Sequence, residues 1–233
     1  MPFPQRPTVV GYNTADTFAG NQGVGGCFMP ISGTGTMADI KITGYGKEYV
    51  DGGINCTKLD TYGRTISQMF WIDYHDEEVS AYGWYSDNEG SEDCNGVPLA
   101  AGEGLWMKIP NAAFKVQSAG QVASETIPVA LIAGNQLCPN PTPVTVEMGN
   151  VFMAGYGSEY VDGGINCTKL DTYGRTIKQM FWIDFSDEEV TAYGWYVDNE
   201  GSEDCNSETL KPGESVWLKC PTKGWTLNWP SPL

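Results

Sequence analysis

Residues 44–95 read GYGKEYVDGGINCTKLDTYGRTISQMFWIDYHDEEVSAYGWYSDNEGSEDCN, and residues 155–206 read GYGSEYVDGGINCTKLDTYGRTIKQMFWIDFSDEEVTAYGWYVDNEGSEDCN. Cys56 thus corresponds to Cys167, an offset of 111. Carried on to Pro110, the comparison covers 67 positions with 15 differences, so 67 − 15 = 52 are identical. Upstream the match fades, but the tetrapeptide AGNQ at 19–22 returns at 133–136, an offset of 114, so the second copy is about three residues shorter there. Downstream, Phe114 corresponds to Trp225 and Val116 to Leu227. A period near 111 is domain-sized, well above the roughly 20–50 residues of a solenoid unit. Two homologous domains are expected, 1–117 and 118–233, joined in the small, polar stretch KVQSAGQVASE.

Within one copy no segment shows a capped apolar pattern with helical period. Strand signals recur instead, at 37–43, 54–59, 68–74, 79–85 and 105–109, with a short one at 114–116 and the counterpart of the fifth at 216–220. Glycine (29) and proline (14) separate them, and 8 Trp, 12 Tyr and 8 Phe enrich them, a mix that favours short strands and tight turns. The fold class expected is all-β: two tandem antiparallel β-sandwich domains, Ig-like or jelly-roll-like, related by internal duplication. Trp71, Trp106, Phe70 and Ile72, or an alternating subset, supply the core. Which of Phe70 and Trp71 points inward is open, because a one-residue slip exchanges them.

Charge excludes several functions. Thirteen basic residues against 29 acidic give 13 − 29 = −16, without the basic stripe that phosphate contact needs, so nucleic acid and anionic membranes are not expected partners. The longest apolar run, near 128–133, falls far short of the roughly 20 residues that span a bilayer. The start, MPFPQRPTVV, has no apolar core of a secretory signal.

Cysteines stand at 27, 56, 94, 138, 167, 205 and 220. At the common offset Cys27 answers to Cys138, and Cys220, at an isoleucine position (Ile109), is left over. Two readings stay open. Cys56–Cys94 and Cys167–Cys205 are disulfide candidates, whose closed loops would stabilise by roughly 3–4 kcal/mol in the chain-entropy model. Alternatively the thiols are free and act as small hydrophobes. Zinc is not expected, with no C-x-x-C pair and a single histidine, His75.

The loop DNEGSEDCN occurs twice. Asp87, Glu89, Ser91 and Asp93, and their counterparts Asp198, Glu200, Ser202 and Asp204, alternate oxygen-bearing side chains around a glycine. This is the kind of donor set calcium takes, or else a solvated turn. No other cofactor is indicated. Neither nucleophile elbow, P-loop nor dinucleotide fingerprint is present, and His75 becomes Ser186 in the second copy, so the chain is not expected to be an enzyme.

The unevenness of the repeat suggests either a surface task shared through Lys58, Asp60, Arg64, Glu77, Glu89 and Glu92, or a recent partial duplication. Tyr62, Tyr82 and Trp84, repeated as Tyr173, Tyr193 and Trp195, are candidates for stacking on sugar rings, and two such patches would bind a polysaccharide with avidity. Trp225 and Trp229, in the tail WTLNWPSPL, are candidate anchors for other protein subunits.

The pattern of G-Y-G (44–46), L-D-x-Y-G-R-T (59–65), F-W-I-D (70–73), G-W-Y (83–85) and the late P-G-E-S-V-W (212–217) resembles uncharacterised tandem β-modules of bacterial and phage surface proteins. The resemblance covers most of each copy and implies no particular activity and no site residues. The expected role is structural: a component of a larger assembly, such as a virion decoration or surface subunit, placed on a virion or outside a cell. Glycan binding is the alternative.

Overall fold

A computed structural model describes residues 9–16, 20–25, 35–43, 54–59, 65–75, 80–87, 89–99, 104–109, 114–131, 133–155, 165–170, 176–186, 191–198, 200–220 and 224–233. Among them there is no α-helix, and every strand pairing is antiparallel. The first half carries β1 (Val10–Asp16), β2 (Gly20–Gly25), β3 (Gly35–Thr36), β4 (Ile40–Thr43), β5 (Ile54–Leu59), β6 (Thr65–His75), β7 (Ser80–Tyr85), β8 (Pro98–Leu99), β9 (Gly104–Ile109) and β10 (Lys115–Gln121). The second carries β11 (Ile127–Ala130), β12 (Gly134–Pro139), β13 (Val146–Glu147), β14 (Phe152–Ala154), β15 (Ile165–Leu170), β16 (Thr176–Ser186), β17 (Thr191–Tyr196), β18 (Thr209–Leu210), β19 (Ser215–Cys220) and β20 (Thr226–Trp229).

These strands form small open sheets, and the order in one half is repeated in the other. The orders β1-β10-β4, β2-β9-β5-β6-β7 and β3-β8 are matched by β11-β20-β14, β12-β19-β15-β16-β17 and β13-β18. Even the irregularity is repeated, with a register shift at Lys58/Leu59 and again at Lys169/Leu170. The buried apolar side chains gather in two clusters, one drawn from residues 37–116 and one from residues 127–229.

The β6–β7 hairpin shows how the sequence fixes its faces. Trp71 lies opposite Trp84 and Asp73 opposite Tyr82, so these four share a face. Met69, Trp71 and Trp84 are buried on it, whereas Phe70 on the other face is half-buried. The register question between Phe70 and Trp71 thus resolves in favour of the tryptophan. Ile72, on the Phe70 face, is nevertheless buried, because the loop after β7 folds back until Gly90 lies against Ala81 and the Ile72 tip. Trp106 is only half-buried.

Four expectations need correction. The strand expected over 37–43 begins with a 3-10 turn over Met37–Asp39. The Ile40 N–H donates back to the Met37 carbonyl and closes the turn, while the Met37 N–H donates to the Val97 carbonyl (2.9 Å) and the Ala38 N–H to that of Asn95 (3.0 Å), which tie it to the later loop. The boundary at 117/118 falls inside β10, which pairs with β1 along its whole length, Asp16 to Lys115 through Val10 to Gln121. Its apparent linker composition hides a period of two, with Val116, Ser118 and Gly120 buried. Trp225 and Trp229 are buried, Trp229 completely, and the residues from Thr226 to Trp229 form the central strand of the β11-β20-β14 sheet. They hold their own core and are not free anchors. Finally, Cys138 answers to Val24 and not to Cys27. Gly20 pairs with Ile109 and Val24 with Leu105, while Gly134 pairs with Cys220 and Cys138 with Val216. Both extra cysteines of the second half thus replace aliphatic residues.

Candidate functional site

The β6–β7 hairpin with its following loop, and β16–β17 with its own, recur closely in the two halves. Two interlocks build it. The Trp84 indole N–H donates to the Ile40 carbonyl at 2.8 Å, and that of Trp195 to the Val151 carbonyl at 2.7 Å. This ties the hairpin to the short β4 and to its counterpart just before β14. Asn95 then clasps the outer edge of β7: its Oδ1 accepts from the Trp84 N–H at 3.0 Å, and Asn206 does the same for Trp195 at 2.9 Å. The Cys94 N–H donates to the Trp84 carbonyl and the Ser86 N–H to the Glu92 carbonyl, so the loop covers part of an edge that would otherwise be open to pairing.

The aspartates of the loop are engaged in shaping it. Asp87 Oδ1 accepts from the Glu89 and Ser91 N–H groups, each at 3.0 Å, and Asp198 accepts from those of Glu200 (3.0 Å) and Ser202 (3.1 Å). Hydrogen bonds, foremost from the Ser91 and Ser202 side chains, hold both carboxyls below the ordinary aspartate range. Asp93 Oδ1 accepts from the N–H (2.7 Å) and side-chain amide (2.8 Å) of Asn95, and Asp204 accepts from the Asn206 N–H at 2.6 Å. Among the described residues no three His, Cys, Asp or Glu side chains are placed to hold a metal. In the second copy Lys178, where the first has Ser67, adds ion pairs to Glu203 (3.4 Å) and Glu208 (3.7 Å).

Cys94, Cys138, Cys205 and Cys220 carry free thiols; the side chains of Cys56 and Cys167, the other members of the two expected bridges, lie outside the described residues. Burial pushes the thiols of Cys94 and Cys205 up from their ordinary pKa and that of Cys220 up to about 11. A protonated thiol is a poor nucleophile.

Of the aromatic candidates, Trp84 and Trp195 are fully buried. Their indoles pack edge-on to Trp71 and Trp182 at 5.3 Å, which corrects their place among the sugar-stacking residues. Tyr82 and Tyr193 are the exposed pair, at 56% and 57%. Each ring is set edge-on against a buried tryptophan, Trp71 or Trp182, at 5.1 Å, a geometry worth about 0.5–1.5 kcal/mol beyond area burial. Tyr62, Tyr173, Asp60, Arg64 and Glu77 lie outside the described residues. Sequence reasoning missed that Asn95 and Gly83 are partners; the signal available was the joint recurrence of G-W-Y and D-C-N in both copies.

No protein family, curated protein or solved structure matches the chain. No helix among the described residues is long and apolar enough to cross a membrane.

Proposed function

We propose that the chain is a non-catalytic structural protein of two tandem β-sandwich repeats that arose by internal duplication. Each repeat presents one tyrosine-centred surface to other protein subunits of a larger assembly, such as a virion decoration or a surface subunit on a virion or cell. The observation that carries this reading is the twin exposure of Tyr82 and Tyr193. Most of the repeated described side chains around them are consumed in holding the repeat together, while these two rings are fixed by a buried neighbour and offered to solvent. Rigid, amphipathic tyrosine is what protein interfaces use at their centres.

Glycan binding is the second reading, favoured by one feature. Asp73 and Asp184 face Tyr82 and Tyr193 directly across the hairpin, so a carboxylate acceptor for sugar hydroxyls accompanies each ring. The double variant Tyr82→Ala/Tyr193→Ala separates the readings. It is expected to keep its thermal midpoint close to that of the parent and to lose incorporation into the native particle, followed by electron microscopy and sedimentation. Undiminished incorporation of the double variant counts against the assembly role. A monomeric parent that binds a polysaccharide column, and loses that binding in the variant, transfers the conclusion to glycans.

A further inference from the structure

Beyond the tyrosine surfaces, the two halves meet in a particular way. Strand β2 is one edge of its five-stranded sheet, and β12 is the matching edge of the other. These edges lie against each other, β2 also touches β19, and β12 also touches β9. Because β12 answers to β2 and β19 to β9, exchanging the two halves maps this set of contacts onto itself. That is the mark of an isologous contact, the kind made about a two-fold axis. The sequence carries a second, independent sign. Upstream of Gly44 the copies have drifted apart, yet AGNQ is identical at 19–22 and 133–136, and Gly20–Gln22 and Gly134–Gln136 open the two strands in contact. Near a two-fold axis a residue meets its own counterpart, so a change in one copy disturbs both sides of the contact. Glycines at 20, 23 and 25 let a second backbone come close, and the contact covers sheet edges that would otherwise invite pairing.

We infer that the β2–β9 edge is a self-recognition surface of the repeat, occupied here by the equivalent β12–β19 edge, so that the chain is a covalent pseudo-dimer. The opposite edges, β7 and β17, are the ones that carry Tyr82 and Tyr193, and docking leaves both outward. The inference stands whether those tyrosines meet protein or glycan. Reciprocity gives its test. Asn21→Cys with Gln136→Cys, and Gln22→Cys with Asn135→Cys, are equivalent pairs under the exchange of halves. In the full chain a short bis-maleimide, read by digestion and mass spectrometry so that native thiols are distinguished, is expected to join both pairs within one molecule in yields within about twofold of each other. It is expected to leave Tyr82→Cys/Tyr193→Cys unjoined. Joining of one reciprocal pair without the other, failure of both, or joining of the tyrosine-site pair overturns the inference. In the unsubstituted chain, amides of 20–25 and 134–139 are expected to exchange hydrogen more slowly than those of 80–83 and 191–194; equal rates overturn it even if a substituted chain does not fold.

Discussion

Gly83 has φ +122 and Gly194 φ +126, a region that side chains with a Cβ rarely enter. A Cβ on either would also run into the side-chain amide of Asn95 or Asn206. The glycine and the asparagine are therefore one device: the missing Cβ makes room for the amide that caps the Trp84 or Trp195 N–H. Gly83→Ala and Gly194→Ala are each expected to cost about 1–3 kcal/mol, seen as a lower midpoint in urea or thermal unfolding; unchanged midpoints would remove the lock from the account. Asp87 and Asp198 act at the same scale. Their carboxyls sit below the ordinary value of 3.8 in the folded chain, so the stability they contribute is complete above that value and is lost as pH falls through the lower folded one. Acid unfolding is expected to begin below about pH 4, and Asp87→Asn is expected to make the thermal midpoint less dependent on pH in that window. An identical pH profile for the two proteins would argue against the turn as an acid-sensitive element.

At the level of elements, legibility followed the strength of the period-two signal. The range 54–59 coincides with β5, and 68–74 lies within β6, where Met69 and Trp71 are buried on one face and Phe70 is half-buried on the other. Besides the 37–43 segment, two elements were read wrongly, for different reasons. In β10 the inward positions are Val116, Ser118 and Gly120, small enough to suggest a linker, although opposite β1 they fit the close spacing of paired strands. In β20 the apolar residues crowd the chain end and resemble an exposed tail, whereas Leu227 and Trp229 complete the second core. The loop carboxylates were identified as a candidate site from residue type alone; what they bond depends on turn geometry, which spacing does not reveal. Trp229→Ala follows from the corrected placement. Emptying a fully buried indole site is expected to destabilise the second half by about 3–5 kcal/mol, with loss of protection from hydrogen exchange in β11 and β14, which flank β20. Full protection of those strands in the variant would return Trp229 to the role of a surface anchor.

The whole molecule combines two cores with a charge that opposes their union. Residues 1–117 hold 14 acidic and 7 basic side chains, and residues 118–233 hold 15 and 6, so both copies are negative, at 7 − 14 = −7 and 6 − 15 = −9. Like charge on two bodies in contact is repulsive, and little in the described ion pairs offsets it: Lys115 with Asp16, and Lys178 with Glu203 and Glu208, each join residues of the same half. The contact between β2 and β12 therefore sits in a repulsive field that salt can screen, over about 30 Å at 0.01 M and only about 8 Å at 0.15 M. Raising ionic strength across that range is expected to raise the thermal midpoint, by roughly 2–4 °C for each kcal/mol of repulsion removed in a chain of this size, and to shrink the hydrodynamic radius as the halves close. The two readouts need to move together. A midpoint that rises while the radius stays constant would place the repulsion inside each half, and a midpoint that falls with salt would mean that the surface ion pairs outweigh the net charge.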